Sequence, residues 1–276
     1  MARWLTLLAG LLLVTALAGA CRGGGQAIIL ATTTSVYDTG LMDAIVPAFE
    51  EATGLRLKVV PVGSGQALRL GREGQADVLL VHSPEAEARF MAEGYGRERR
   101  LVMVNYFVVV GPADDPASVR GAASAQEAFQ RIARSGAPFY SRADGSGTHE
   151  RERAIWARLG LDPTGQPWYH EVGAGQAQTL LAASEQRGYA LTDKGTYLGL
   201  SRRLALTVLV EGDPFLRNEY HVITVDPARS PHVNAAGAAA LADFLVSPQG
   251  QRIIGSFGVR EFGEPLFQPV ALAAGR

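Results

Sequence analysis

Short apolar runs alternate with amphipathic stretches along most of the chain. Gln26–Leu30, Leu55–Val60 and Ala76–Val81 are predicted strands, and a predicted helix follows each of them. In the first of these helices, Asp38–Thr53, apolar residues recur at helical spacing, and Gly54 ends the helix. Strands that alternate with helices in this way predict an α/β architecture with largely parallel sheets.

Two breaks in this alternation predict that the chain forms two lobes. The apolar run Leu101–Val110 ends at Gly111–Pro112, and a second turn-rich segment, Glu211–Pro214, leads back. We therefore expect a discontinuous first lobe, residues 27–111 and 216–276, and a second lobe, residues 112–215. Ligands of open α/β sheets bind at the carboxyl ends of strands, so we expect the site in a cleft between the lobes.

The first twenty residues have the pattern of an export signal. Arg3 precedes an apolar run, Trp4–Leu17, which is short for a membrane span, and small residues follow it. Residues 1–20 are therefore the predicted signal peptide, and residues 21–26 are a predicted tether. We expect an exported protein, in the periplasm or on the outer face of the cytoplasmic membrane.

The lone cysteine of the chain, Cys21, lies at the predicted cleavage point. The segment before it resembles a bacterial lipobox, although Ala18 stands where leucine is usual. Cleavage after Ala20 by the ordinary signal peptidase is the alternative. The position of the cysteine favours lipidation of Cys21 and a membrane anchor.

Composition narrows the class of protein. The chain has 276 residues, of which 47% are hydrophobic and 19% charged, as in soluble globular proteins. With a net charge of −1, no basic surface invites nucleic acid, and an anion site would have to be local and enclosed. The charged segment Arg97–Arg100 is expected to be a solvated turn. We expect the protein to be a monomer.

The segment from Phe139 to His149 is predicted to carry the chemistry. A short strand leads into Arg142 and Asp144, and Ser146–Thr148 stand at the start of a predicted helix, Glu150–Leu159. A helix start presents free backbone N–H groups and a positive dipole end, which suit an anion. Arg142 adds a planar cationic fork that Asp144 could hold in place. An ordinary capped helix with a surface ion pair is the alternative.

Hydroxyl groups also follow the predicted strands of the first lobe. Thr33, Thr34 and Ser35 follow the first strand, and Ser64 lies between two glycines after the second. A helix N-cap uses only one hydroxyl, so a run of them exceeds the needs of capping. His82 follows the third strand, where it either completes the strand end or lends an N–H to a ligand.

Five segments together resemble one known family. They are Thr32–Ser35 with Asp38–Leu41, Val62–Gly65, Asp77–Pro84, Ser141–Thr148 and Leu191–Tyr197. In this order, and over nearly the whole predicted mature chain, they are similar to the tungstate-binding proteins of bacterial ABC importers. The segment Gly173–Gln178 lacks a methionine that the resemblance leads us to expect, so no ligand contact is assigned to it.

The resemblance implies a two-lobed periplasmic-binding-protein fold, type II-like, with mixed, mainly parallel sheets and the ligand cleft between the lobes. It implies capture of tungstate, or less tightly molybdate, and delivery to the permease subunit of an ABC transporter. No cofactor is expected apart from this oxyanion ligand. The positions that carry over as ligand-binding residues are Thr33, Thr34, Ser35, Ser64, Arg142, Ser146, Gly147 and Thr148.

Phosphate-binding transport proteins are the first alternative, because they share the pattern around Arg142. Phosphate near neutral pH carries a proton and needs an acceptor, whereas tungstate and molybdate need donors only. His82-Ser83 stand where a carboxylate acceptor would be expected, which favours a deprotonated oxyanion. Asp144 could still act as an acceptor unless Arg142 occupies it.

A secreted serine hydrolase or phosphatase is the second alternative, with Ser146 or Ser64 as nucleophile and His149 or His82 as base. The chain lacks the Gly-x-Ser-x-Gly elbow, a His-Glu-x-x-His motif and a P-loop lysine. His149 lies among charged residues, where we expect it to be solvated. The sequence therefore predicts a binding protein and no enzyme.

Overall fold

The computed structural model describes residues 27–270, so the predicted signal peptide, the tether and Cys21 lie outside the described residues. The strands are β1 (Ile28–Thr33), β2 (Leu57–Val62), β3 (Val78–Val81), β4 (Gly96–Pro112), β5 (Phe139–Ser141), β6 (Tyr169–Glu171), β7 (Ala190–Asp193), β8 (Leu206–Val210), β9 (Arg217–Val225) and β10 (Gln268–Pro269). The helices are α1 (Thr34–Asp38), α2 (Leu41–Thr53), α3 (Ser64–Arg72), α4 (Pro84–Ala92), α5 (Ala125–Ser135), α6 (Gly147–Arg158), α7 (Gln176–Glu185), α8 (Lys194–Leu200), α9 (Ala235–Val246), α10 (Pro248–Ser256) and α11 (Val259–Phe262).

The first lobe is built on a sheet with the strand order β10-β4-β9-β3-β1-β2. β1 pairs in parallel with β2 and β3, as their helical connections require. Phe49 on α2 and Leu241 on α9 pack against one face, and Leu68 on α3 and Phe90 on α4 pack against the other. The lobe is therefore a sheet covered by helices on both faces.

β4 is a long strand that belongs to both lobes. Its residues up to Tyr106 pair with β9, whereas Phe107–Pro112 pair with β7 and β8 in the second lobe. β5 and β6 form a parallel pair beside β7. The core of this lobe contains Phe129 on α5 and Trp156 on α6. The strand changes its pairing partner between Tyr106 and Phe107, and the predicted lobe boundaries stay a prediction.

The α/β architecture is confirmed, and two local expectations are corrected. Each antiparallel pair in the described sheets includes β4 or β9, the strands that join the lobes, so the sheet is more mixed than the alternation predicts. Arg97–Arg100 belong to β4 and do not form a solvated turn. Arg99 donates to the buried carboxylate of Glu87, which gives this part of the strand a fixed partner. Within residues 27–270, no helix is long and apolar enough to span a membrane.

Candidate functional site

Three strands of the first lobe end side by side at one edge of the sheet. Thr33 on β1 is the register partner of Val62 on β2, and Thr32 that of Leu80 on β3. The loops that follow these strands therefore begin next to one another. The hydroxyl groups that the sequence singles out in the first lobe share this edge, as expected for ligands of α/β sheets.

The first of these loops carries three hydroxyl groups. Thr33 caps α1 by accepting the Val36 N–H at 3.4 Å, and its oxygen lies 3.1 Å from the Ser35 hydroxyl oxygen. Because the Thr33 oxygen accepts from the backbone, its own proton remains available for donation. Thr33 and Ser35 are buried, while Thr34 is exposed and lines the cleft.

Ser64 begins α3, directly after the extended residue Gly63. Its side chain is only 1% exposed, and its hydroxyl oxygen has no hydrogen-bond partner among the described residues. Buried polar groups are normally paired, and an unpaired one costs about 1–3 kcal/mol. An unpaired hydroxyl at this sheet edge is therefore a mark of a binding site.

The second lobe contributes Arg142 from the loop after β5. Arg142 is 6% exposed and donates through Nη2 to Asp144 Oδ2 at 2.5 Å. Its Nε is buried and has no acceptor within residues 27–270. Asp144 also accepts the Ser146 N–H at 3.1 Å through its other oxygen. Asp144 thus holds Arg142 through Nη2, while Nε has no partner in the part of the chain that the structure describes.

Asp144 is occupied by these two donors, which answers the question left by the sequence. Burial acts to raise the pKa of Asp144, but its hydrogen bonds with Ser146 and the charge of Arg142 outweigh that effect and lower the pKa. The carboxylate remains ionised and turned towards Arg142. It acts as a support for the guanidinium group.

The start of α6 lies against the first lobe. Ser146 caps the helix by accepting the His149 N–H at 3.3 Å, and Thr148 is buried. A Cβ atom added to Gly147 would lie 2.6 Å from His82 Cε1 and 3.1 Å from the His82 carbonyl oxygen. Any side chain at Gly147 would therefore separate the helix start from the end of β3. The helix begins three residues earlier than predicted because Ser146 supplies the cap.

The two histidines at this edge have defined partners. His82 Nδ1 lies 3.0 Å from Asn218 Oδ1, and burial lowers the pKa of His82 to about 4. His149 Nδ1 accepts the Gly145 N–H at 3.0 Å, so this ring is engaged in the loop and is only partly exposed, contrary to expectation. Burial lowers the pKa of His149 as well. Because the pKa of each histidine is lowered, both rings are neutral near pH 7.

A cavity of about 880 Å³ lies between the lobes. Of the predicted site residues, Thr34, Ser35 and Arg142 line it. The other predicted site residues do not line this cavity and lie buried at a strand end or a helix start: Thr33, Ser64, Ser146, Gly147 and Thr148.

The cavity also includes residues to which the sequence assigned no contact, above all Gly175 and Gln176 at the start of α7. Gln176 donates from Nε2 to the Leu191 carbonyl oxygen at 3.1 Å, and its Oε1 has no partner in the described chain. The sequence signal that could have identified Gly175 and Gln176 is the glycine-rich segment before α7, which repeats the strand–glycine–helix pattern of the other loops.

Two further carboxylates lie near Arg142. Burial raises the pKa of Asp193 and of Asp38, and the charge of Arg142 opposes the increase at both. Asp193 caps α8 by accepting from the Thr196 N–H at 2.8 Å and the Thr196 hydroxyl at 2.7 Å. Among residues 27–270, no group of three or more His, Cys, Asp or Glu side chains is placed to hold a metal ion.

Comparisons with known proteins show the family of the chain. A family model described as a PBP superfamily domain matches residues 20–249. A Haloferax volcanii protein, named for anion binding in an ABC transporter, is 47% identical over 256 residues, which cover 91% of this chain and 74% of that protein. The tungstate-binding protein TupA of Peptoclostridium acidaminophilum is 44% identical over 251 residues, which cover 88% of this chain and 86% of its own length.

A solved structure extends the comparison to the fold. The tungstate-binding protein TupA from Desulfovibrio alaskensis superimposes with a TM-score of 0.80 at 40% identity, covering 89% of this chain and 99% of that chain. Sequence and fold therefore agree over nearly the same residues. The chain belongs to the PBP superfamily, in the group that contains the tungstate-binding proteins TupA.

Proposed function

We propose that the protein binds tungstate between its two lobes and delivers it to the permease subunit of an ABC transporter. The observation that carries this proposal is a pair of buried donors that have no hydrogen-bond partner among residues 27–270, the Ser64 hydroxyl in one lobe and Arg142 Nε in the other. A fully deprotonated tetrahedral dianion offers acceptors only, and it would satisfy both groups at once. The relatives named for tungstate and anion binding support the same ligand class.

We propose that the ligand set comprises Thr33, Thr34, Ser35, Ser64, Arg142, Ser146, Gly147 and Thr148. Thr33 already accepts a backbone N–H group, so its own hydroxyl proton can be donated. About seven charge-assisted hydrogen bonds, at about 1.5–3 kcal/mol each, would contribute roughly 10–20 kcal/mol. Association costs about 4–15 kcal/mol, so affinity near the nanomolar range requires preorganised donors. The Arg142–Asp144 pair supplies such preorganisation.

The alternatives of the sequence analysis are less well supported. Asp144, the candidate acceptor for the proton of phosphate, is occupied by Arg142 and Ser146. A serine nucleophile would need a neighbouring base, but His149 Nδ1 accepts from Gly145 and its backbone N–H donates to Ser146. The relatives are named as tungstate-binding proteins and, in one case, as an anion-binding protein of an ABC transporter, and the chain is accordingly a binding protein and not an enzyme.

We propose an exported protein that acts as a monomer, with residues 1–20 removed and residues 21–26 forming a tether from a lipidated Cys21. The apolar leader and the position of the cysteine support this localisation. Tungstate, or less tightly molybdate, is the cargo, and the proposal requires no cofactor.

The test is a ligand panel on the mature chain, with Cys21 replaced by serine to remove the lipidation site. Thermal shift and calorimetry would compare tungstate, molybdate, sulfate and phosphate at one pH and ionic strength. We expect tungstate to give the largest stabilisation and molybdate a smaller one, because stabilisation at a fixed ligand concentration increases as Kd falls. A ligand at 100 times its Kd adds about 2.7 kcal/mol to stability. Stabilisation by phosphate without any effect of tungstate would refute the proposal.

A further inference from the structure

The cavity between the lobes contains one buried donor and one buried acceptor that find no partner in the described chain. Of the buried side-chain polar atoms without a hydrogen bond among residues 27–270, two belong to residues that line the cavity. One is the donor Arg142 Nε, and the other is the acceptor Gln176 Oε1. Tungstate would use the donor, but a bare dianion has no proton for the acceptor. Buried polar groups are normally paired, so Gln176 Oε1 indicates a further ligand group.

A hydrogen bond fixes the orientation of the Gln176 amide. Its Nε2 donates to the Leu191 carbonyl oxygen at 3.1 Å. A turned amide would place Oε1 against that carbonyl oxygen, and two acceptors cannot form a hydrogen bond with each other. Gln176 is only 6% exposed and lines the cavity. The cavity wall therefore presents an acceptor at this point.

The partner of this amide lies next to the strand end that Arg142 follows. β5 and the residues leading into β7 run in parallel, with a bridge between Phe139 and Tyr189. Carried two residues further, this register sets Leu191 on β7 beside the last residue of β5, and Arg142 is the next residue of the chain. Adjacent strands lie about 4.8 Å apart. The acceptor of Gln176 and the donor of Arg142 therefore belong to the same end of the cavity.

The start of α7 adds further donors at this end. Gly175 is the N-cap residue and lines the cavity, and no side chain of the described residues caps the helix. The first N–H groups of a helix have no partner within it, and the positive end of the helix dipole attracts an anion. The acceptor of Gln176 thus lies among donors that suit a negatively charged ligand.

The two carboxylates near Arg142 do not provide an equivalent acceptor. Asp193 accepts from Thr196 with both of its oxygens. Asp38 lines the cavity but is exposed to solvent. Neither group offers the buried acceptor without a donor that Gln176 does.

We propose that Gln176 is a specificity-determining residue whose Oε1 accepts the proton of a singly protonated tetrahedral oxyanion such as hydrogen phosphate. The inference rests on the proposed function, because it ranks the oxyanions that bind in the same cleft. Arg142 and the start of α7 bind the unprotonated oxygens of such a ligand, and Gln176 binds its O–H group. Sulfate, an unprotonated dianion of similar size, leaves the acceptor unpaired. With tungstate, the proposed cargo, a water molecule takes the place of the O–H group.

Hydrogen phosphate and sulfate are matched probes, because above neutral pH both are tetrahedral dianions and only one carries a proton. Direct calorimetric titration of the mature chain is expected to show hydrogen phosphate binding about tenfold more tightly than sulfate. Gln176→Met removes the acceptor at similar side-chain length and should reduce this ratio to within about twofold. Gln176→Glu supplies a charged acceptor, so it should weaken both anions yet keep the ratio at about tenfold or more.

Gln186→Met is the matched control, because Gln186 is exposed at the other end of α7, and the ratio should stay unchanged. Equal affinities for the two anions in the unaltered protein, or no binding of hydrogen phosphate, would overturn the inference. If Gln176→Met weakens both anions equally, Gln176 acts by pairing with Arg142 and the inference is wrong. These titrations contain no tungstate, so failure of the unaltered protein to bind tungstate refutes only the proposed function.

Discussion

Replacing Arg142 with alanine is the sharpest single perturbation of the proposed site. The change removes a buried cation whose Nε has no acceptor in the described chain, and it also leaves Asp144 without its ion-pair partner. Two lost charge-assisted bonds correspond to about 3–6 kcal/mol, or on the order of 10²–10⁴-fold in Kd for tungstate. The Kd of Arg142→Lys for tungstate should lie between that of the unaltered protein and that of Arg142→Ala, because lysine keeps the charge but loses the planar fork.

Isothermal titration calorimetry at neutral pH would measure this loss, with displacement titration for the tightest variants. Arg187→Ala is a suitable control, since it removes the same charge from an exposed ion pair with Asp114 in the same lobe. Adding Asp144→Ala to Arg142→Ala separates the missing donor from the repulsion of an unpaired carboxylate. If Arg142→Ala binds tungstate within about threefold of the unaltered protein, the assignment of the anion site to this loop is wrong.

Two further predictions follow from buried groups. Ser64→Ala should weaken tungstate binding on the order of tenfold or more, yet leave the unliganded protein as stable or about 1 kcal/mol more stable, since the hydroxyl is buried without a partner among the described residues. Calorimetric melting with and without tungstate would reveal both effects, and a large loss of unliganded stability would contradict them. Burial raises the pKa of Glu152 to about 7, against the hydrogen bonds from Tyr169 and Trp156. The folded state binds the Glu152 proton more tightly than the unfolded state does, so protonation of Glu152 stabilises the fold. This contribution is complete below the unfolded pKa and is lost as pH rises towards about 7. Glu152→Gln should therefore gain stability relative to the unaltered protein between pH 4.5 and about 7, by on the order of 3 kcal/mol; a difference that does not vary with pH would contradict this.

The sequence was sufficient for those parts of the site that lie in local patterns. Ser146 and Thr33 cap helices that follow strands, and their residue types predict hydroxyl groups at these positions. The helices themselves begin earlier than predicted, at Gly147 and Thr34. Arg142 could be singled out because it follows a short strand and precedes a capped turn. The pairing of Arg142 with Asp144 was one of two open possibilities, and the structure shows that it forms.

The remaining parts depend on contacts between distant residues. Asn105 and Asn218 form a side-chain hydrogen bond although they are 113 positions apart. Asn105 lies inside an apolar run and Asn218 between two charged residues, and neither position shows the other as its partner. Only the pairing of β4 with β9 brings them together. The change of partner within β4 has the same origin, because Tyr106 and Phe107 carry no turn signal while Gly111–Pro112, which do, are the last residues of the strand. Local pattern cannot reveal where a strand exchanges neighbours.

The continuity of β4 has a consequence for any attempt to divide the molecule. A cut between the lobes, placed where the pairing partner changes, would sever a strand of 17 residues. It would place a chain end inside the sheet of each half, at the point where the strand passes from β9 to its partners in the second lobe. The lobes are accordingly poor modules for exchange between relatives, and chimeras of this protein should join at the surface loops that connect helices, with the shared strand kept whole.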